Sequence, residues 1–159
     1  MTWSDSWSNG PVTVYRERLW APPVLYLATA LVIPASLLVF LPISVLTGVL
    51  VAIGMYLGVL VLLWALAPTI EVTDTEFRAG RAHLPRTLVG DVQGFEGAEA
   101  TTQRGPKLDA RAWTLFRGYV RGVVRVEVLD PADPTPYWLV SVRNPSAVVA
   151  ALRKPGTGI

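Results

Sequence analysis

Residues 20–70 contain no Asp, Glu, Lys, Arg or His. No other feature constrains this chain as strongly. A soluble core would not exclude charge over such a run, and about 18 uncharged apolar residues already suggest one membrane-spanning helix. This run has room for two. It follows a polar segment with no basic start, and it is far longer than the roughly 7–15 apolar residues of a signal peptide. It therefore reads as a retained segment.

Prolines divide the run. Pro22-Pro23 suits a helix start, where the missing N–H costs nothing. The first helix is predicted over about 23–41; at 1.5 Å per residue it would reach roughly 29 Å, close to the ~30 Å hydrocarbon thickness. Pro34 lies inside it and should free the Ala30 carbonyl and kink the helix. Pro42 begins the reversal, and Ser44 or Thr47 is the candidate cap of a second helix over about 45–66. Pro68 stops that helix. The short, uncharged connection makes a tight antiparallel hairpin. Gly54 and Gly58 form a GxxxG spacing, and Gly48 and Ala52 a second small pair. These positions suit packing on Ala28, Ala35 and Ser36, or association with a second copy.

Arg16 and Arg18 precede the hairpin, Arg78, Arg81 and Arg86 follow it, and the connecting turn has no basic residue. The positive-inside rule puts both termini in the cytoplasm, with Trp20 and Trp64 at similar depth near that interface. Residues 1–19 are read as an N-terminal cytoplasmic tail, polar through residue 10. Its Trp3 and Trp7 could dip into the membrane surface. Its end, "VTVYRERLW", is either a short strand or an interfacial lead-in.

Residues 68–159 have a different texture. "TIEVTDTEFRAG" and "AHLPRTLVGDVQGFEG" each read as a pair of short strands, and "TTQRGPKLDAR" as a loop. "AWTLF", "GVVRVEVLD" and "YWLVSV" read as further strands. In the second of these, Val124, Val126 and Val128 share one face, with Arg125 and Glu127 on the other. "NPSAVVAALRK" has a helix signature over about 145–154: Asn144 as N-cap, Pro145 first, and a basic end stopped by Pro155-Gly156. Six or seven short strands closed by one helix make a small, partly open barrel or sandwich.

Composition removes several chemistries. The chain has no Cys, so disulfides, thiolate catalysis, Cys-rich zinc sites and Fe–S clusters are excluded. His83 is its only histidine, too few for a usual zinc site. There is no GxGxxG and no Walker loop. A net charge of +2 does not by itself argue for nucleic acid. Asp130 and Asp133 sit among the prolines of "DPADPTP". They read first as turn residues that accept backbone N–H groups, and second as a carboxylate pair for acid–base work. Arg104, Lys107, Arg111, Arg117, Arg121 and Arg125 crowd a short segment interleaved with Trp113, Phe116 and Tyr119. Beside a membrane, such residues suit an anionic lipid surface or a partner.

The stretches "LDARAW" and "RGYVR", followed by "VRVEVLDPADPTPYWLVSVRNP", resemble an uncharacterised family of small actinobacterial membrane proteins. The resemblance runs from about Tyr15 to Leu152. It implies two transmembrane helices and a cytoplasmic C-terminal domain, and no established activity. The strand order with a closing helix also resembles bacterial pleckstrin-homology-like (PH-like) domains.

The expectation is an α+β membrane protein of the cell membrane. A transmembrane hairpin over 20–67 is followed by a small β-rich, PH-like cytoplasmic domain over 68–159. The leading function is a non-enzymatic module that presents this domain to a protein partner or the anionic lipid surface. The alternatives are an accessory subunit of a larger membrane complex, held by the glycine face, and a membrane-surface enzyme uniting Asp130 and Asp133 with Asp109 or His83. The expected partners are the lipid bilayer and a membrane protein or second copy, with no nucleic acid, cofactor or metal.

Overall fold

The computed structural model describes residues 12–154; the tail bearing Trp3 and Trp7 and the stop at Pro155-Gly156 lie outside them. The chain divides into two compact units, residues 20–68 and, together, residues 1–19 and 69–159.

The first unit is helical. α1 spans Pro23–Thr29, α2 Val32–Phe40 and α3 Val45–Ala65. The stretches Pro23–Phe40 and Val45–Ala65 are long and apolar enough to cross a membrane. The first carries its irregularity just before Pro34, where Ala30 and Leu31 separate α1 from α2. Pro34 has no N–H to give the Ala30 carbonyl. That carbonyl instead accepts from Ile33 at 3.0 Å, and the Leu31 N–H reaches back only to Ala28, at 3.2 Å. Ala30 and Leu31 have ψ of −20° and −17°, as in a 3-10 turn. The break therefore keeps the Ala30 carbonyl and the Leu31 N–H bonded.

Ser44 caps α3, its hydroxyl accepting the Thr47 N–H at 3.5 Å. α3 packs on α2 through Gly48 and Ala52. A Cβ at Gly48 would lie 3.5 Å from Leu37 and 3.6 Å from Phe40, so only a small residue lets the helices approach this closely. The buried Ser36 hydroxyl lies 3.7 Å from the Met55 sulfur. Gly54 and Gly58 face elsewhere, with nothing within 4 Å of a Cβ built on either.

The second unit holds two four-stranded sheets. The first runs β1 (Thr13–Arg18), β2 (Thr69–Thr73), β3 (Glu76–Ala79) and β4 (Ala82–Pro85), antiparallel throughout. The segment before the hairpin is thus a strand of this sheet, with Arg18 opposite Thr69. Residues 13–18 depart here from the tail reading. Alternation along "TVYRER" is weak, and their strand state depends on pairing with residues more than fifty positions away. Between β3 and β4 the two-residue loop begins with Gly80 at φ +64°, the conformation a type II′ turn needs in first place.

The second sheet contains β5 (Val89–Phe95), β6 (Trp113–Leu115), β7 (Gly122–Val128) and β8 (Tyr137–Val142), in the order β5-β7-β8-β6. β6 is parallel to β8; the other pairs are antiparallel. All six residues of β8 are buried, because both faces of this sheet are covered. On one face Val124, Val126, Trp138 and Val140 meet Ile70, Val72 and Phe77 of the first sheet, with Val148, Ala151 and Leu152 of α5 (Pro145–Arg153). Each fully buried Val, Ile or Phe among them contributes roughly 1.5–3 kcal/mol. The Phe77 and Trp138 rings are 6.0 Å apart, and those of Trp113 and Trp138 4.4 Å.

The other face carries Val123, Tyr137 and Leu139 under Ala100 of α4 (Gly97–Arg104). This helix lies where the sequence reads as a strand end and a loop. Its two threonines and leading glycine are poor helix formers, and only Ala100 and Gln103 are buried. The legible signal was Glu99 in its first turn and Arg104 in its last, complementing the helix dipole.

Candidate interaction surface

The six basic residues singled out in the sequence fall into three environments. Arg104, at the end of α4, turns inward. Its guanidinium donates to the carbonyls of Val120, Arg121 and Gly122 at 2.6, 3.2 and 3.1 Å. Burial pulls its pKa below the ordinary guanidinium value. This arginine ties α4 to the chain entering β7.

Lys107, Arg111 and Arg125 gather round Tyr137. The Asp109 backbone N–H donates to the Tyr137 hydroxyl at 2.8 Å, and that hydroxyl donates to the Lys107 carbonyl at 3.3 Å. The Arg125 guanidinium lies 4.0 Å from the centre of the Tyr137 ring, a cation–π contact. Arg111 pairs with Asp109 at 3.3 Å. The Arg111 backbone N–H, then its side chain, hold the Asp109 carboxyl below the usual carboxylate range; Arg125 adds a smaller push. Beside Arg125 a hollow of about 260 Å³ is lined by Asp91, Gln93, Glu127 and Pro136.

Arg117 and Arg121 belong to the turn before β7, closed by the Val120 N–H donating to the Arg117 carbonyl at 2.9 Å. Arg121 is exposed and Arg117 half-buried. Tyr119, between them, donates its hydroxyl to the Leu19 carbonyl at 2.9 Å.

Asp130 and Asp133 lie in the loop joining β7 to β8, where each accepts a backbone N–H two residues on, from Ala132 and Thr135, at 2.9 Å. The Thr135 side chain, then its backbone N–H, hold the Asp133 carboxyl below its ordinary range. His83 is exposed on β4 of the first sheet, opposite Arg78 of β3. Among the described residues no three of His, Cys, Asp and Glu are grouped to hold a metal ion.

Two further groups escaped the sequence reading. Arg86, noted there only as a flanking charge, bonds the carbonyls of Thr73, Ala151 and Leu152 at 3.0, 3.2 and 2.8 Å, and that of Lys154. It closes the open carbonyl end of α5 from across the fold. Glu17 of β1 accepts the Arg143 N–H and the Tyr15 hydroxyl. Neither has a local sequence signal, since every partner of Arg86 and the Arg143 partner of Glu17 are distant in the chain.

Residues 14–152 match the family described as a protein of unknown function, DUF3093. The chain belongs to the DUF3093 family. The match begins inside β1 and ends at Leu152 in α5, so a DUF3093 domain takes in the strand before the helices, the helices themselves and both sheets. No curated protein matches this DUF3093 chain. No solved structure matches it either.

Proposed function

We propose that this protein is a membrane-anchored, non-enzymatic module of the cell membrane. Its hairpin over 20–67 spans the bilayer, and its β-rich unit is presented in the cytoplasm to a protein partner or the anionic lipid surface. The observation that carries this reading is the pairing of β1 with β2. The chain leaves the sheet after Arg18 and returns at Thr69, its direct partner. A segment inserted between neighbouring strands of one sheet must begin and end on the same side of a bilayer, as an even number of spans requires.

Side-chain exposure supports it as well. Leu27, Leu38 and Leu46 are 73 %, 77 % and 69 % exposed, which suits contact with lipid and not with water. Arginines on both flanks, and none in the turn, favour the cytoplasmic side. Two sheets closed by a C-terminal helix are in keeping with a PH-like domain, although the parallel β6–β8 pair departs from a simple meander. The test is paired reporter fusions at the two ends, with alkaline carbonate extraction. Both reporters should give the cytoplasmic signal and the chain should stay with the membrane; opposite signals, or release, would refute the reading.

A second reading, an accessory subunit of a larger membrane complex, is favoured by the open face at Gly54 and Gly58. Crosslinking from α3 in native membranes should then capture another membrane protein.

A further inference from the structure

We propose, resting on the membrane reading above, that Arg81, Arg117 and Arg121 form a contact for anionic phospholipid headgroups. They sit at the end of the β-rich unit where the chain departs and returns. Two hydrogen bonds define that end. The Thr69 carbonyl accepts the Gly80 N–H at 2.8 Å, which fixes the β3–β4 turn and its exposed Arg81 beside the start of β2. The Leu19 carbonyl accepts the Tyr119 hydroxyl at 2.9 Å, which fixes the turn bearing Arg117 and Arg121 beside the end of β1. Arg18 pairs with Thr69 and so joins the two. The chain enters the uncharged segment after Leu19 and leaves it before Thr69, both at this end of the β-rich unit.

The four segments where the chain departs and returns, 18–20, 68–70, 79–83 and 116–123, hold Arg18, Arg81, Arg117 and Arg121, and no Asp or Glu. Among the acids nearest them are Glu17, which is bonded to Arg143, and Glu96, one residue beyond Phe95, the β5 partner of Val123. The loop at the far end of β7, residues 129–136, holds Asp130 and Asp133 and no basic residue. Seven residues of β7 part the two ends by roughly 20 Å. An anionic surface attracts the turns bearing Arg81, Arg117 and Arg121 and repels the loop bearing Asp130 and Asp133. Guanidinium groups suit phosphate because they donate in a planar fork. The backbone under Arg121 is held, its carbonyl accepting from Arg104, so the side chain projects from a fixed base. The structure thus divides the basic segment: its lipid-facing members are Arg117 and Arg121, joined by Arg81 from another strand pair, while Arg104 is internal.

The lack of cysteine makes the test clean. A fluorophore goes on Gly118→Cys, where nothing lies within 4 Å of the new Cβ, or on the exposed Ala132→Cys of the far loop. The full chain is placed in phosphatidylcholine–phosphatidylglycerol vesicles carrying headgroup-quencher lipids, either anionic or zwitterionic. The label at 118 should be quenched and that at 132 should not. The anionic quencher should outperform the zwitterionic one, by up to about fivefold per engaged arginine. Raised salt, or the combined change Arg81→Gln, Arg117→Gln and Arg121→Gln with unaltered circular dichroism, should equalise the two quenchers. Inorganic phosphate added to pure phosphatidylcholine vesicles should change nothing; a response there would mean a free-phosphate site and overturn the lipid assignment. Equal quenching in the unmodified chain, an anionic preference that survives high salt, or stronger quenching at 132 would also overturn it. A chain stripped from the vesicles by alkaline carbonate would instead defeat the membrane reading itself.

Discussion

Glu17 and Arg143 meet across 126 positions of sequence: the Arg143 backbone N–H donates to both Glu17 carboxylate oxygens, at 3.1 and 3.3 Å, and its guanidinium lies 3.7 Å away. Tyr15 donates to the same carboxylate at 2.9 Å. The strand before the helices is thereby bonded to the turn that starts α5. With the Tyr119–Leu19 bond, this makes residues 13–19 part of the β-rich unit.

Glu17→Ala removes the acceptor of the Tyr15 hydroxyl and of the Arg143 backbone N–H. The cost should be about 1–3 kcal/mol in chemical denaturation of the full chain in detergent. Protease cleavage within residues 12–19 should accelerate, and Glu17→Gln should recover part of the loss. An unchanged cleavage rate in the alanine variant would mean that the strand is held by its β2 pairing alone.

Tyr15 gives a pH signature. Burial, then its hydrogen bond to Glu17 and the nearby charge, push its pKa up to about 12, against 10.0 for an ordinary tyrosine. A raised folded-state pKa means that the folded form holds the proton more tightly. Its contribution is fully present below pH ~10 and is lost as pH rises toward 12. Stability should therefore fall over that window, and Tyr15→Phe should flatten the fall. The difference in tyrosinate absorbance between the two proteins should titrate near the upper end.

Arg86 should be among the most sensitive positions. Its fork holds carbonyls of β2 and of the last turn of α5, and burial lowers its pKa. Arg86→Ala should cost about 2–4 kcal/mol, since hydrogen bonds to a charged group are the stronger kind. Arg86→Lys keeps the charge and loses the planar fork, and should recover less than half. Hydrogen exchange at the end of α5 should rise before exchange in β8.

Gly122 and Gly118 are four residues apart and should respond oppositely to alanine. A Cβ at Gly122 would lie 2.6 Å from the Pro145 side chain and 2.7 Å from the Val142 carbonyl, so backbone must move. Gly122→Ala should cost about 1–3 kcal/mol, while Gly118→Ala, in open space, should stay within about 0.5 kcal/mol. The thermal midpoints of the two variants decide it.

Much of the architecture was legible locally. The uncharged run, with prolines at 22, 23, 42 and 68, marked both apolar helices to within a residue or two. Asn144 and Pro145 marked the start of α5, and the alternation in "VRVEV" marked the faces of β7. Each is a signal carried by neighbours in the chain: an apolar run, a cap, a period of two. What was missed had no such signal or a faint one. α4 is short and polar, and its covering of Val123, Tyr137 and Leu139 is a tertiary fact. The split of the first apolar helix needed the exchange of hydrogen bonds around Ala30, which the presence of Pro34 permits but does not specify.

The basic segment shows the same division. Its arginines were countable in the sequence, yet their roles were not, because an arginine buried under carbonyls and one standing in solvent have the same letter. By itself the sequence determined that a charge-free helical pair interrupts this chain and that strands and a capped helix follow, since these rest on local hydrogen bonding and on contiguous hydrophobicity. Only the tertiary structure decided that β1 and β2 close around that pair, that Arg86 and Arg104 turn inward, and that Arg81 joins Arg117 and Arg121 at one end. Those outcomes depend on pairings between residues far apart in the chain, whose geometry exists only once the sheets have formed.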